Sequence, residues 1–356
     1  MKELATHFTV TTDIHKMMIR NDRVLLGHGS GGKLSHDLIS NLFMKHFNNL
    51  FLEKQTDSAI LELTDCHISF TTDSFVVDPI FFPGGDIGKL AVCGTVNDLA
   101  VSGATPLYLS AGFIIEEGLS FDDLESIVRS MASEAKKAGV VIVTGDTKVV
   151  NRGKCDKIFI NTAGIGEIKK QNIHIGEGKR IKPGDKIIIN GSIGDHGMAV
   201  LSARQELNIQ SDIQSDCASL NGLIQNILAT TDGIQFMRDA TRGGLATVLS
   251  ELAEKKNFGI TIEESQLLVR PKVRAFCELL GFDPLYVANE GKVVIIADEG
   301  SAARILQTLH DHELGKDARM IGEIVDDYPG KAWVNTGVGG KRILDMLTGE
   351  QLPRIC

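Results

Sequence analysis

Two glycine-rich turns constrain the chain more than any other feature. Gly27-His28-Gly29-Ser30-Gly31-Gly32-Lys33 follows the apolar Val24-Leu25-Leu26 and precedes a helical pattern at about 34–47. Gly191-Ser192-Ile193-Gly194-Asp195-His196-Gly197 follows an apolar strand pattern at 186–190 and opens a helix from about 196. Glycine accepts positive φ and leaves backbone N–H groups uncovered, which suits close approach by phosphate. A plain flexible turn has the same composition, and His196 reads more simply as a polar residue of the first helical turn. The first turn is not a Walker loop, since Leu34 follows Lys33 where Ser or Thr would be needed. Around each turn runs the same succession of strands ending in Asp and long amphipathic helices. This repetition predicts an α+β chain of two domains, and 356 residues exceed what one core usually holds.

In the first half, strands are expected at 58–63 and 67–72, joined at Thr64-Asp65, with Thr71-Thr72-Asp73-Ser74 ending the second. Pro83-Gly84-Gly85-Asp86 is a turn and cap for a helix at 87–101 that carries Asn97-Asp98 near its end. A carboxylate among Ala, Val and Leu needs a partner, whether a metal, a donor or a lysine. Asp57, Asp73 and Asp98 together suit Mg²⁺, which recruits carboxylates beside substrate phosphates. A buried strand is expected at 107–115. Ser120-Phe121-Asp122-Asp123 opens a helix that stops at Gly139. A buried strand at 140–143 is expected to end in Thr144-Gly145-Asp146-Thr147-Lys148, a usual place for a ligand site in αβ layers. A further strand is expected at 158–166.

In the second half, 208–222 reads as a polar loop. Met237-Arg238-Asp239-Ala240-Thr241-Arg242-Gly243-Gly244-Leu245 then supplies a metal ligand, cations and free N–H groups ahead of a helix. Strands are expected at 258–262, 293–297, 319–325 and 331–334, helices at 270–280 and 300–312, and a short helix after the Gly-rich 335–341. Ala288-Asn289-Glu290-Gly291-Lys292 places Glu290 where a strand meets a glycine; a surface pairing of Glu290 with Lys292 is the alternative.

The chain ends in Pro353-Arg354-Ile355-Cys356. A terminal thiol is expected to be exposed and mobile unless it docks, and it is either an accident of a frayed tail or a reactive site. It is not a prenylation signal, which requires Cys four residues from the end. The other five Cys show no C-x-x-C, and no His stands at zinc-site spacing to them. That usage suits reduced thiols in a cytoplasmic protein. A net charge of −9 argues against nucleic-acid binding, and no apolar run reaches membrane-spanning length or forms a signal core.

Taken in order, the Gly27–Lys33 loop, Asn97-Asp98, Thr144-Gly145-Asp146-Thr147-Lys148, Arg238-Asp239-Ala240-Thr241-Arg242-Gly243-Gly244 and the terminal Pro353-Arg354-Ile355-Cys356 resemble the HypE family of hydrogenase maturation factors. That family lies in the superfamily of aminoimidazole ribonucleotide synthetase and selenophosphate synthetase. The resemblance covers about 22–356 and implies a two-domain PurM-like fold. Residues 1–22 would be an extension, 23–175 an ATP-binding and dimerisation domain, 176–347 a C-terminal α/β sandwich domain, and 348–356 a flexible tail carrying Cys356. The N-terminal domain sheets would pair in a homodimer. Asp57, Asp98 and Asp239 match positions that hold Mg²⁺ on ATP, and Lys33 a phosphate-side lysine; Asp73, Asp146, Thr147, Gly243 and Gly244 are further nucleotide-site candidates.

The activity implied is ATP-dependent dehydration of a carbamoyl group on Cys356 to a thiocyanate, supplying cyanide for the iron of [NiFe] hydrogenase. Glu290 is a candidate base, and Lys148 a base or charge stabiliser. The implied partners are the carbamoyltransferase HypF, which loads Cys356, and the HypC–HypD complex, which accepts the cyanide. Two other readings compete. One is a superfamily enzyme acting on a free small molecule, disfavoured by Ser30-Gly31-Gly32 where selenophosphate synthetases usually carry Cys or selenocysteine. The other is a non-catalytic ATP-binding scaffold whose tail docks partners.

Overall fold

The computed structural model describes residues 32–38, 40, 59–63, 66–204, 211–349, 351–352 and 354–356. The expected 1–22 extension, most of the first glycine turn and Asp57 lie outside them.

The first domain is built on a five-stranded sheet. Its strands are β1 (Ala59–Leu63), β2 (Cys66–Phe75), β5 (Ala104–Glu116), β6 (Val141–Val150) and β7 (Ile158–Ile168), in the order β1-β2-β7-β5-β6. A small hairpin of β3 (Phe81–Phe82) and β4 (Gly85–Asp86) leads into α2 (Ile87–Val101), and α3 (Phe121–Ala138) follows β5. Asp86 caps α2 as the sequence predicts, accepting from the N–H groups of Gly88 at 2.8 Å and Lys89 at 3.1 Å. Ser120 caps α3, and Gly139 ends it at φ 72°. Helix α2 is apolar around its whole circumference and is buried on nearly every side. It lies between the sheet and the second domain.

The second domain holds a seven-stranded sheet of β8 (Lys186–Ile189), β9 (Ile234–Asp239), β10 (Gly259–Glu263), β11 (Val293–Ala297), β12 (Arg319–Val325), β13 (Ala332–Asn335) and β14 (Lys341–Leu344). Its order is β14-β13-β10-β12-β8-β11-β9. Helices α4 (Asp195–Ser202), α5 (Asn221–Thr230), α6 (Gly244–Ala253), α7 (Pro271–Leu280) and α8 (Glu299–His310) complete it.

Three expectations need correction. The short helix after 335–341 is instead the strand β14, paired antiparallel with β13 from Ala332↔Leu344 to Asn335↔Lys341. Four residues are too few for periodicity to separate helix from strand, and the Gly-rich hairpin decides the matter. The strand at 140–143 does not end before Thr144: β6 runs through Val150, so Thr144 to Lys148 lie inside a strand. Nor is it buried. Val141, Val143 and Val149 stand on an exposed edge strand, and the cross-strand row Phe70–Ile165–Tyr108–Val141 forms an apolar band on the face away from α2. Asp73 likewise sits inside β2 and not beyond its end.

Candidate active site

The terminal segment returns into the body, so Cys356 follows the docked alternative and not the exposed one. Ile355 forms an antiparallel bridge with Val77. The Asp78 N–H donates to the Arg354 carbonyl at 3.1 Å, and the Arg204 guanidinium donates to that same carbonyl at 3.1 Å and to the Asp78 carbonyl at 2.9 Å. Nε2 of His196 lies 2.8 Å from the Ile355 carbonyl oxygen. Arg354 pairs with Asp156 at 2.9 Å. Leu352 and Ile355 are buried, and Cys356 packs at the edge of the core. Strand β2 and its exit, the loop before β7, and α4 all contribute, so the tail is held by both domains.

What the tail reaches is acidic. Asp73 points from β2 toward α2: a Cβ added at Gly94 would stand 3.7 Å from its Oδ2 and 2.8 Å from Phe75 Cζ, so glycine is what lets the helix lie this close. Asp98, on the same helix, accepts from the Thr71 hydroxyl at 2.9 Å. Asp239 ends β9 and is buried, and Glu290, in the loop before β11, is 2% exposed. Asn97 ties the two domains at this point. Its side chain donates to the carbonyls of Ala218 at 3.0 Å and Glu290 at 3.4 Å and accepts from the Leu220 N–H at 2.7 Å.

The electrostatics follow from that crowding. Burial, then the charges of Asp239, Asp216 and Asp73, push the Glu290 carboxyl well above its usual range, with Arg242 opposing. Burial also raises Asp73, against the pull of Arg242 and the Ser74 N–H. The charge of Cys356 foremost, and then Asp73, Glu290 and Asp98, pushes the Arg242 guanidinium higher still, while burial opposes. One guanidinium thus answers the terminal residue and three acids together. Gly243 and Gly244, at φ 75° and 60°, turn the chain into α6 directly after it. A Cβ on Gly244 would meet the Leu285 and Val287 carbonyl oxygens at 2.6 Å.

Cys356, Asp73, Glu290 and Asp98 all act on Arg242, Asp239 acts on Glu290, and Gly243 and Gly244 follow Arg242 directly in the chain. Others do not join them in one chain. Asp146 and Lys148 pair at 3.9 Å on the outer face of β6, each 74% exposed, and Thr147 lies between them in the strand. Lys33 starts α1 (Lys33–Leu38) and lines a cleft of about 720 Å³ with His36, Arg238 and Glu251, a cleft to which the acidic cluster contributes nothing. Among the described residues, no group of three His, Cys, Asp or Glu side chains closes around one point as a metal site. The carboxylates of Asp98 and Asp239 are the described side chains of a type that a hard divalent cation takes as ligands.

Sequence reasoning missed Arg242, Asp216 and the structural role of His196. Arg242 stands inside the quoted motif beside Gly243-Gly244, so adjacency was an available signal. Asp216 lies in a stretch read as polar loop, and nothing local marks it.

The fold and site define an AIR synthase related protein. The family's N-terminal domain matches residues 55–168 and its C-terminal domain residues 182–335. The carbamoyl dehydratase HypE of Rhodobacter capsulatus is 50% identical over 343 residues, covering 96% of this chain and 100% of the relative. That of Escherichia coli K12 is 49% identical over 340 residues, covering 94% and 100%. The chain belongs to the HypE family of carbamoyl dehydratases, enzymes of hydrogenase maturation. Among solved structures, HypE in a HypE–HypF complex aligns with a TM-score of 0.81 at 49% identity, covering 87% of this chain and 99% of that one. HypE in complex with ATP aligns at 0.78 and 50% identity, covering 94% and 100%. Thiamine monophosphate kinase from Aquifex aeolicus, at 0.61 and 15% identity, shares the fold. Among the described residues no helix is long and apolar enough to cross a membrane.

Proposed function

We propose that this protein uses ATP to dehydrate an S-carbamoyl group on its own Cys356 to an S-cyanate, which then serves as the cyanide source for the iron of [NiFe] hydrogenase. The observation that carries this reading is the docked tail: Ile355 bridges Val77 and, with Leu352, lines one small pocket with Arg242, whose guanidinium feels the charge of Cys356 first and then those of Asp73, Glu290 and Asp98. A scaffold has no use for a terminal thiol brought to buried acids, and a free-substrate synthetase would leave its site open to solvent.

The chemistry balances in two steps. The carbamoyl oxygen of Cys356-S-C(=O)-NH₂ attacks the γ-phosphorus of ATP, ADP leaves, and one N–H proton is lost. The C–O bond of the resulting phosphate ester then breaks, phosphate leaves with its electron pair, and loss of the second N–H proton gives Cys356-S-C≡N. Glu290 is the candidate proton acceptor, because enclosure first and then its acidic neighbours raise its affinity for a proton. Arg242 balances negative charge on the phosphorylated oxygen. Asp98 and Asp239, with Asp57, would hold Mg²⁺, whose chemistry is to neutralise charge on the transferring phosphoryl group.

We also assign the outer face of the first sheet to a homodimer contact, because the apolar band of Phe70, Ile165, Tyr108 and Val141 is exposed in one chain. Asp146 and Lys148 lie on β6 at that face, with Thr147 between them in the strand, so they would act at the paired site, Lys148 as a charge stabiliser. HypF, seen with HypE in a solved complex, would load the thiol, and a HypC–HypD iron scaffold would receive the cyanide.

The test is mass spectrometry of the C-terminal peptide after incubation with HypF, carbamoyl phosphate and ATP. Cys356 should gain a carbamoyl group and then lose one water in an ATP-dependent step. Modification confined to another cysteine, or a carbamoyl group that ATP never alters, would refute the reading.

A further inference from the structure

His196 is wholly buried on the first turn of α4, its ring edge-on to Phe82 at 5.4 Å. Its hydrogen bonds have one consistent assignment. The Ile355 carbonyl only accepts, so Nε2, at 2.8 Å, carries the proton. In the neutral ring Nδ1 then accepts, and the Ser215 hydroxyl at 2.8 Å donates to it. Ser215 Oγ in turn accepts the Cys217 N–H at 3.0 Å, and the Ser215 N–H donates to the Pro83 carbonyl at 2.8 Å. The result is a directed relay, Cys217 N–H to Ser215 to His196 to the main chain of the tail, anchored on both domains. Burial of the ring keeps its pKa low and the neutral form in place, against the opposing pull of Asp216.

We propose that His196, oriented by Ser215, is a positioning residue that fixes the register of the tail, so that Cys356 and no earlier residue reaches the Arg242 cluster. The proposal rests on Cys356 being the carrier. The relay holds the carbonyl one residue before the thiol, Asp78 and Arg204 hold the carbonyl before that, and the Val77 bridge sets the strand direction. All of these grips are on main-chain atoms, which read position along the chain and not side-chain identity. His196 contributes one grip among several, beside the Val77 bridge, the Asp78 and Arg204 hydrogen bonds and the Arg354–Asp156 pair, so its loss should loosen the tail without freeing it.

The experiment follows the alkylation of Cys356 by iodoacetamide in the full-length protein without ATP, read by mass spectrometry of the C-terminal peptide. Cys155, a half-exposed thiol, serves as the reference, and buried Cys277 reports on folding. His196→Ala should raise the Cys356 rate relative to Cys155 about five- to tenfold, the effect of losing one buried hydrogen bond. His196→Gln, whose amide can donate to the same carbonyl, should recover much of the protection, and Ser215→Ala should fall between. An unchanged Cys356-to-Cys155 ratio in His196→Ala overturns the proposal, as does a parallel rise at Cys277, which would mean loss of fold alone. If His196→Ala does not fold, Ser215→Ala decides by the same ratio. Absence of ATP-dependent dehydration in the unaltered protein would sink the carrier reading while leaving this comparison intact.

Discussion

Lys292 Nζ donates to Asp216 Oδ2 at 2.8 Å, and the two side chains are only 10% and 7% exposed. Asp216 also accepts the backbone N–H groups of Glu290 at 3.1 Å and Gly291 at 3.3 Å. Burial works to raise its pKa, but Lys292 and these hydrogen bonds overcome it, so the carboxylate stays ionised below its ordinary value. The pair therefore fixes the loop that presents Glu290. Asp216→Ala should cost about 3–5 kcal/mol in urea unfolding, because it strands a buried ammonium, whereas Asp216→Leu with Lys292→Met should cost markedly less. Equal losses would show that the ion pair is not the source.

Glu290 gives the opposite sign. Its folded pKa is raised, so its contribution to stability is fully present below the ordinary 4.5 and is lost as pH rises through the folded value. Thermal unfolding of metal-free protein should therefore show Glu290→Gln gaining on the wild type as pH rises from 4.5 upward. Parallel curves for the two proteins would contradict the raised pKa. The same variant should lose dehydration of carbamoylated Cys356.

Arg242→Gln removes the cation that answers Cys356, Asp73, Glu290 and Asp98. Dehydration in a single turnover should slow by about a hundredfold, the usual loss for one preorganised charge-stabilising group. Retention of full rate would remove Arg242 from the site.

Asp98→Ala should weaken Mg²⁺-dependent ATP binding in calorimetry, with little change when Mg²⁺ is omitted. An equal loss in both conditions would assign Asp98 to its contact with Thr71 instead of to the metal.

Tyr108→Glu on the exposed apolar band should shift the protein to monomer in sedimentation velocity. A dimer unaffected by it would place the contact elsewhere.

Local patterns were legible where local physics decides. The caps at Asp86 and Ser120, the stop at Gly139 and the buried α2 all follow from residue type and spacing. Asp98, Asp239 and Glu290 were legible as carboxylates that their apolar or glycine-rich settings would need to partner. The strand end expected at Thr144–Lys148 misled because a run of Gly, Asp, Thr and Lys resembles one, while the parallel pairing of β6 with β5 carries the strand on through it. Arg242 and His196 gain their roles from the terminal residues, more than a hundred positions away in the chain. No window of sequence contains both partners.

The seat made for the last three residues has a kinetic corollary. On the proposed carrier chemistry the reacting group is tethered to the catalyst, so dehydration would be first order in protein with no substrate KM for the carbamoyl group. Attachment by a short tether corresponds to an effective concentration of about millimolar or more. Diluting the loaded protein a thousandfold should leave its half-time unaltered at saturating ATP. Output in the cell would then be set by how often the tail is reloaded and emptied, a traffic problem and not an affinity problem.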